Sequence, residues 1–432
     1  MALVMLFVLS AFLVSNDDSL KIASVNMSSL VAMVMIPVFL ADGLLKGRFT
    51  LPALPLRKRF CLLFLWAGIS LMLARLDPSK AIPDEASSYI WATGANSPDW
   101  RGLSFLCRLF LALFAIEFVI SAVDSKQRYS TIVNTVIILY SAFCFVCFLQ
   151  IVLFFGLGLE IGKISIMEGK EAFARFGGYI GEPQTLGMVL ISFYFMILSA
   201  ITQSNSIVRL PRTYLIVVIF IASFDLLFTF SASMILALTI TVLVLFVKPK
   251  KPNKLFIVSF ILCLIILTML NQRFYELVVL KILYEPFHMN ERVITWVSGL
   301  SMMYRNSFAG VGIGQSPLVI SEYVPQELRI FDNLLFYDVY RQPPMNTYIE
   351  WGAETGVTGL AILGFVIYRV YRFGKSRIGS FDRKFVRLSC GAGLLSLLIS
   401  CNSSSGNFFN GSLGVLIGMY LSGLKIYGPR AK

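Results

Sequence analysis

The chain has 432 residues, of which 57% are hydrophobic and only 14% charged, and its mean hydropathy is +0.77. A water-soluble domain of that length needs far more charge, so a soluble enzyme is excluded. The net charge of +13 does not point to nucleic acid, because the basic residues form short clusters between apolar runs, where they orient a chain in a membrane.

Apolar runs long enough to cross a hydrocarbon core of ~30 Å recur along the whole sequence. The short alternating segments of a β-barrel are not seen. Ala2–Val14 reads as a first helix rather than a cleaved signal, since no basic residue precedes it and no A-x-A site follows. Further spans are expected at Ser28–Leu45, Phe60–Arg75, Leu103–Val123, Thr131–Phe155 and Thr185–Thr202. Tyr214–Val247 is too long for one span and is divided near Thr229–Ser233. The series closes with Leu255–Leu270, Asn346–Tyr371, Val386–Cys401 and Gly411–Tyr427.

Loops 46–59, 124–130, 204–213, 248–254 and 372–387 are basic, and those between them are acidic or mixed. Positive charge stays inside, so this alternation gives an all-α polytopic membrane protein of about 12 spans with both termini cytoplasmic. Residues 1–270 hold the first nine or so spans, with outer loops at 76–102 and 156–184; residues 271–345 form one large outer loop, and 346–432 hold the last three or so. The two halves do not match, which argues against a transporter built from repeats.

Cys144 and Cys147 lie inside an apolar run and read as packing, so neither a disulfide nor a metal site is assigned. Asp42, Arg108, Glu117 and Asp225 fall within or at the ends of apolar runs. Such residues form a structural pair, sit at the membrane interface or line a substrate cavity. In the second outer loop, Arg175 precedes Gly177, Gly178, Gly181 and Glu182. Glycines let a backbone approach a bulky ligand, and an arginine fork matches phosphate oxygens. The large loop holds the only histidine, His288, together with Arg292, Arg305 and Arg341. Val293, Trp296, Val297, Leu300 and Tyr304 repeat at helical spacing and predict a helix with one apolar face, suited to a membrane surface. Gly310-Val311-Gly312-Ile313-Gly314 is no nucleotide fingerprint, because no strand precedes it. Asn346, Tyr348, Glu350 and Glu354 open the next span, and the two glutamates, four apart, share a helix face.

An arginine beside glycines, a late outer loop with Arg292-x-x-x-Trp296, a Gly-x-Gly-x-Gly turn and Asn346-x-Tyr348-x-Glu350-x-x-x-Glu354-x-Gly356 opening a helix together resemble the O-antigen ligase and polymerase (Wzy-type) superfamily. The resemblance implies a glycosyltransferase C-like fold in the bacterial inner membrane, with the active site facing the periplasm. It implies transfer of a glycan from an undecaprenyl diphosphate carrier, without metal or other cofactor. The acceptor is another lipid-linked repeat unit in polymerases and lipid A–core in ligases. Ligases of this family carry His-Asn where this chain has Met345-Asn346, which favours polymerase.

Under that resemblance Arg175 and Arg292 are expected to hold the diphosphate, with Arg305 and Arg341 behind them. The acceptor base is expected from Glu350, Glu354 or His288, and Asn346, Tyr348, Glu182 and Gly177 are expected to contact substrate. The implied partners are the lipid-linked oligosaccharide as donor and acceptor, membrane lipids and a chain-length regulator, with no nucleic acid. A lipid-linked glycan flippase is the rival class; the large outer loop weighs against it, since a transporter concentrates polar residues at mid-membrane.

Overall fold

The computed structural model describes residues 21–22, 25–26, 57–76, 98–161, 164–167, 173–177, 183–203, 206–229, 231–246, 286–326, 343–374, 381–403 and 411–427. Within these, β1 (Lys21–Ile22) pairs antiparallel with β2 (Val25–Asn26). The helices are α1 (Arg57–Leu76), α2 (Pro98–Ala122), α3 (Lys126–Leu157), α4 (Pro183–Thr202), α5 (Arg212–Phe228), α6 (Ala232–Phe246), α7 (Pro286–Arg305), α8 (Thr347–Gly374), α9 (Phe381–Ser400) and α10 (Gly411–Ile426). A small antiparallel hairpin, β3 (Ile164–Met167) and β4 (Phe173–Phe176), lies between α3 and α4. The expected spans at Ala2–Val14, Ser28–Leu45 and Leu255–Leu270 lie outside the described residues, as do Asp42, Glu182 and Arg341.

Five of the described helices are long and apolar enough to cross a membrane: Arg57–Leu76, Arg101–Ala122, Lys126–Leu157, Pro183–Thr202 and Thr347–Phe373. Ser233–Leu243 and Leu413–Ile426 are shorter and apolar. At 32 residues, α3 is about 48 Å long and overreaches a ~30 Å core. Its ends are marked locally. The Ser125 hydroxyl accepts from the Arg128 N–H at 3.3 Å, and Gly158 closes the helix at φ 66°. The long apolar run 214–247 is indeed broken, with Phe228 ending α5 and Ala232 starting α6. At the break the Thr229 hydroxyl donates back to the Leu226 carbonyl at 2.7 Å.

Helix α4 is the centre of the bundle. It is apolar all round and buried along most of its length, as expected for a helix enclosed by others. It packs on α9, where Gly393 lies against the Ser192 carbonyl. A second close pair is α10 on α2: a Cβ at Gly414 would stand 2.5 Å from the Ala112 carbonyl oxygen, and one at Gly418 would stand 2.8 Å from Val119 Cβ. Small residues four apart allow such approach where no hydrophobic force separates helix from lipid. The Ser396 hydroxyl donates to Thr241 at 2.7 Å and ties α9 to α6. By contrast, α1 turns Leu62, Leu65, Ile69 and Met72 outward, placing it at the rim.

One difference from the sequence reading bears on the site. The helix expected from Leu103 begins at Pro98, which carries Arg101 into α2. The apolar stripe of α7 turns away from the protein: Val293, Leu300 and Tyr304 are exposed, while Ile294, Thr295, Ser298, Gly299 and Met302 are buried. Small residues allow α7 to lie close on α8, where Gly299 meets Ile349 and Pro344, so its bulkier residues point away.

Candidate active site

The site is built around an interruption in α8. The Asn346 side chain caps the helix, its Oδ1 accepting from the N–H groups of Tyr348 at 3.0 Å and Ile349 at 3.2 Å. Ten residues later Gly356 adopts φ 72°, ψ 179°, and the helix resumes beyond it. Such a break strips partners from the carbonyls before it and the N–H groups after it. The glycine turn supplies them. Val311 N–H donates to the Ala353 carbonyl at 2.9 Å, Gly312 N–H to the Glu354 carbonyl at 3.0 Å, and Val357 N–H to the Ser307 carbonyl at 2.8 Å.

Helix α1 closes the staple from the side. Trp66 Nε1 donates to the Thr355 carbonyl at 2.9 Å. The Ser70 hydroxyl shares its proton between the carbonyls of Ala309, 2.8 Å away, and Glu354, 2.7 Å away. Trp66 lies halfway along a membrane-length helix, so irregular backbone is tolerated here only because protein covers it. Gly310 has φ 71° and Gly356 has φ 72°, and a Cβ on either would strike the facing backbone, at Glu354 and Phe308 respectively. The glycines therefore serve backbone-to-backbone docking, which is why the turn lacks the surroundings of a phosphate-binding loop.

Both glutamates lie on the short helix before the break, and both are buried. Ser316 donates to Glu354 Oε1 from its hydroxyl at 2.7 Å and from its N–H at 3.3 Å. Glu354 Oε2 and Arg101 Nε are buried without a hydrogen-bond partner among the described residues, and the two side chains lie within electrostatic reach of each other. Glu350 lies within reach of Arg108, an exposed arginine on α2. The sequence reading missed Arg101 and Ser316.

The expected site residues distribute as follows. Asn346, Tyr348, Glu350 and Glu354 are together on α8. The Tyr348 hydroxyl donates to the Leu398 carbonyl at 2.6 Å, which ties α8 to α9. Arg292 is on α7, one heptad before Gly299 and on the same face, about 10 Å further along the axis. Residues 299 and 303 of α7 meet 349 and 352 of α8 in the same direction, so Arg292 stands before the start of α8. His288 lies in the first turn of α7. Arg305, at the end of α7, is exposed and stands over the Tyr323 ring at 5.7 Å, on another face of the helix. Arg175 is on β4, paired with Ser165, and Gly177 follows the strand, buried. The hairpin is anchored by Phe176, whose ring stands 5.4 Å from Phe154 and 6.0 Å from Phe228.

The remaining ionisable residues of the apolar runs separate by environment. Glu117 is held by Arg57 through two bonds, 2.8 Å to Nε and 3.1 Å to Nη2, as a structural pair. Asp225 is buried between α5 and α3, and neither carboxyl oxygen has a hydrogen-bond partner among the described residues. Among the described residues no cluster of three or more His, Cys, Asp and Glu side chains has the arrangement of a metal site.

Residues 216–364 match the family model described as O-antigen ligase. The match runs from α5 through the glycine turn to the first part of α8, about a third of the chain. It takes in Arg292, Asn346, Glu350, Glu354 and Gly356 and leaves out Arg101, Arg108 and Arg175. The O-antigen ligase match and the apolar helices together support a membrane protein of the ligase/polymerase kind. No curated protein matches the chain.

Proposed function

We propose that the chain is an inner-membrane polysaccharide polymerase working at the periplasmic face. It would transfer a glycan from undecaprenyl diphosphate onto the non-reducing end of another lipid-linked repeat unit. The observation that carries this reading is the stapled break in α8, which lies inside the O-antigen ligase match and follows a short buried helix bearing Glu350 and Glu354.

The reaction breaks the bond from the sugar anomeric carbon to the phosphate oxygen. The diphosphate leaves with the electron pair, and the acceptor hydroxyl oxygen bonds to the anomeric carbon as its proton passes to a base. The chief demand is to hold negative charge as the diphosphate departs. Arg292 and Arg175 take that role in this proposal, with Arg108 at the deep end. Glu350 takes the role of base in this proposal, because it lies in the first turn of α8 within electrostatic reach of Arg108. Met345 beside the helix cap offers no imidazole, and this supports polymerase over ligase.

Transfer onto lipid A–core is the second reading, favoured by the family model's description. The deciding experiment supplies purified protein in nanodiscs with a lipid-linked repeat unit, either alone or with lipid A–core. A ladder formed from the repeat unit alone supports polymerase. Product formed only when lipid A–core is present replaces it with ligase.

A further inference from the structure

On α1 and on α8 an apolar stripe runs into a basic end, and the two ends meet. Lys58, Leu62, Leu65, Ile69 and Met72 follow one another at helical spacing along α1, and all are exposed among the described residues. On α8, Phe365, Tyr368, Arg369 and Arg372 stand at i, i+3, i+4 and i+7 and so share a face. The Arg59 guanidinium lies 5.5 Å from the centre of the Phe365 ring, and the Arg369 guanidinium 6.0 Å from it. Two helices thus bring two positive charges to one ring that is 46% exposed. Each contact with the ring contributes only about 0.5–1 kcal/mol at an exposed site, and the two cations repel each other. Nearby Arg57 is held by Glu117. Loops 46–59 and 372–387, the inner loops richest in Lys and Arg, run into these two helix ends.

We infer that the foot of α1 and α8 binds an anionic phospholipid of the inner leaflet, its headgroup phosphate between Arg59 and Arg369 and its acyl chains along the two stripes. The inference is independent of the polymerase reading and uses only the positive-inside orientation. Charge selects the head. An anion between two guanidiniums offsets their repulsion, and each fork presents donors to phosphate oxygens. Depth selects the rest. Arg59 is in the first turn of α1, and Arg369 lies about 8 Å before the end of α8 at Gly374. Long arginine side chains at that depth reach the headgroup level. Leu62 and Leu65 continue from there towards the membrane centre, and the exposed Tyr368 has the place of an interfacial aromatic. A soluble anion would use the charges and leave the stripes uncovered, whereas a phospholipid uses both. Basic sites between membrane helices on the cytoplasmic side suit such headgroups. The same lipid would fasten the foot of α1 to α8, below the Trp66 and Ser70 bonds that staple the break.

The test counts the lipids that the whole protein retains. The parent, Arg59→Gln, Arg369→Gln and Lys425→Gln are released from nanodiscs of phosphatidylglycerol and phosphatidylcholine in equal parts and read by native mass spectrometry. Lys425 is the control, an exposed lysine in the last turn of α10. The parent should retain phosphatidylglycerol over phosphatidylcholine. Each arginine variant should retain it about tenfold less, the loss of one charged hydrogen-bonding partner, and Lys425→Gln should match the parent. No preference in the parent overturns the site. So does an equal loss in all three variants, which would mean diffuse surface charge. A second measurement needs no variant and stands if the arginine variants fail to fold. Phosphatidylglycerol with a diazirine near the head of one acyl chain is photolysed with the parent in nanodiscs. Labelling of residues 58–65 and 365–372 supports the site, and labelling confined to other segments overturns it. Labelling abolished by an equal concentration of glycerol phosphate would assign the charges to a soluble phosphate and overturn the lipid assignment.

Discussion

The Ser316 hydroxyl donates to Glu354 Oε1 at 2.7 Å inside the protein. Glu354 is 1% exposed, so this bond joins the turn after Gly314 to the last residues before the α8 break. Ser316→Ala leaves a buried carboxyl group short of a partner, which costs about 1–3 kcal/mol. The expected outcome is a lower unfolding midpoint in detergent, with Ser316→Thr close to the parent. An unchanged midpoint for Ser316→Ala would show that the bond contributes nothing. In a Glu354→Gln background the serine change should cost less, because the two residues share one interaction.

The two docked glycines are a separate prediction. Gly310→Ala and Gly356→Ala each place a Cβ at positive φ and against facing backbone. Strain of this kind costs of order 1–3 kcal/mol before any collision is counted. Both variants should lose folded protein in the membrane, read as fluorescence-detected size exclusion of a tagged protein. Gly364→Ala is the control, since a Cβ there would meet nothing within 4 Å and alanine favours a helix by about 0.5–1 kcal/mol. A Gly356→Ala protein as stable as the control would mean the break does not depend on glycine.

Orientation is tested at Glu160, which is exposed just beyond the end of α3. Cysteine at 160 should react with a membrane-impermeant thiol reagent added to intact cells, and cysteine at Gln127, exposed at the start of α3, should react only after lysis. The exposed Cys61 and Cys107 are replaced beforehand. The reverse pattern would invert the positive-inside assignment.

What the sequence disclosed depended on how local each signal was. The split between α5 and α6 was legible because no single span needs so long an apolar run, and the run holds hydroxyl residues where it bends. The opening of α8 was legible because Asn346 is a standard cap. The break at Gly356 was not, since glycine is common in membrane helices and its partner turn lies more than forty positions earlier. Arg101 looked like a loop residue, although Pro98 three positions before it marks a helix start. The apolar stripe of α7 was legible from its spacing, but the face that packs on α8 was not, because close helix packing selects small residues that carry little hydropathy signal. The Arg57–Glu117 pair joins residues sixty apart, a distance no local pattern spans.

The last prediction separates the candidate bases. Glu350 and Glu354 differ in what holds them: Ser316 grips Glu354, while Glu350 is within reach of Arg108. A positioned base contributes about 10²–10⁴-fold in rate. Glu350→Gln should therefore lower kcat by that order while folded protein in the membrane stays near the parent level, because the amide keeps the size of the carboxylate. Glu354→Gln should show the opposite balance, with stability lost first and kcat per folded molecule changed little. His288→Ala should change neither, since the proposal gives it no proton to move. The measurement is transfer from a purified lipid-linked repeat in nanodiscs, normalised to folded protein, with chain length read on a gel. A large loss in His288→Ala with parent-like Glu350→Gln would move the base to α7. Parent-like rates in all three would mean that charge on the departing diphosphate, held by arginines, is the whole of the protein's contribution to the chemical step.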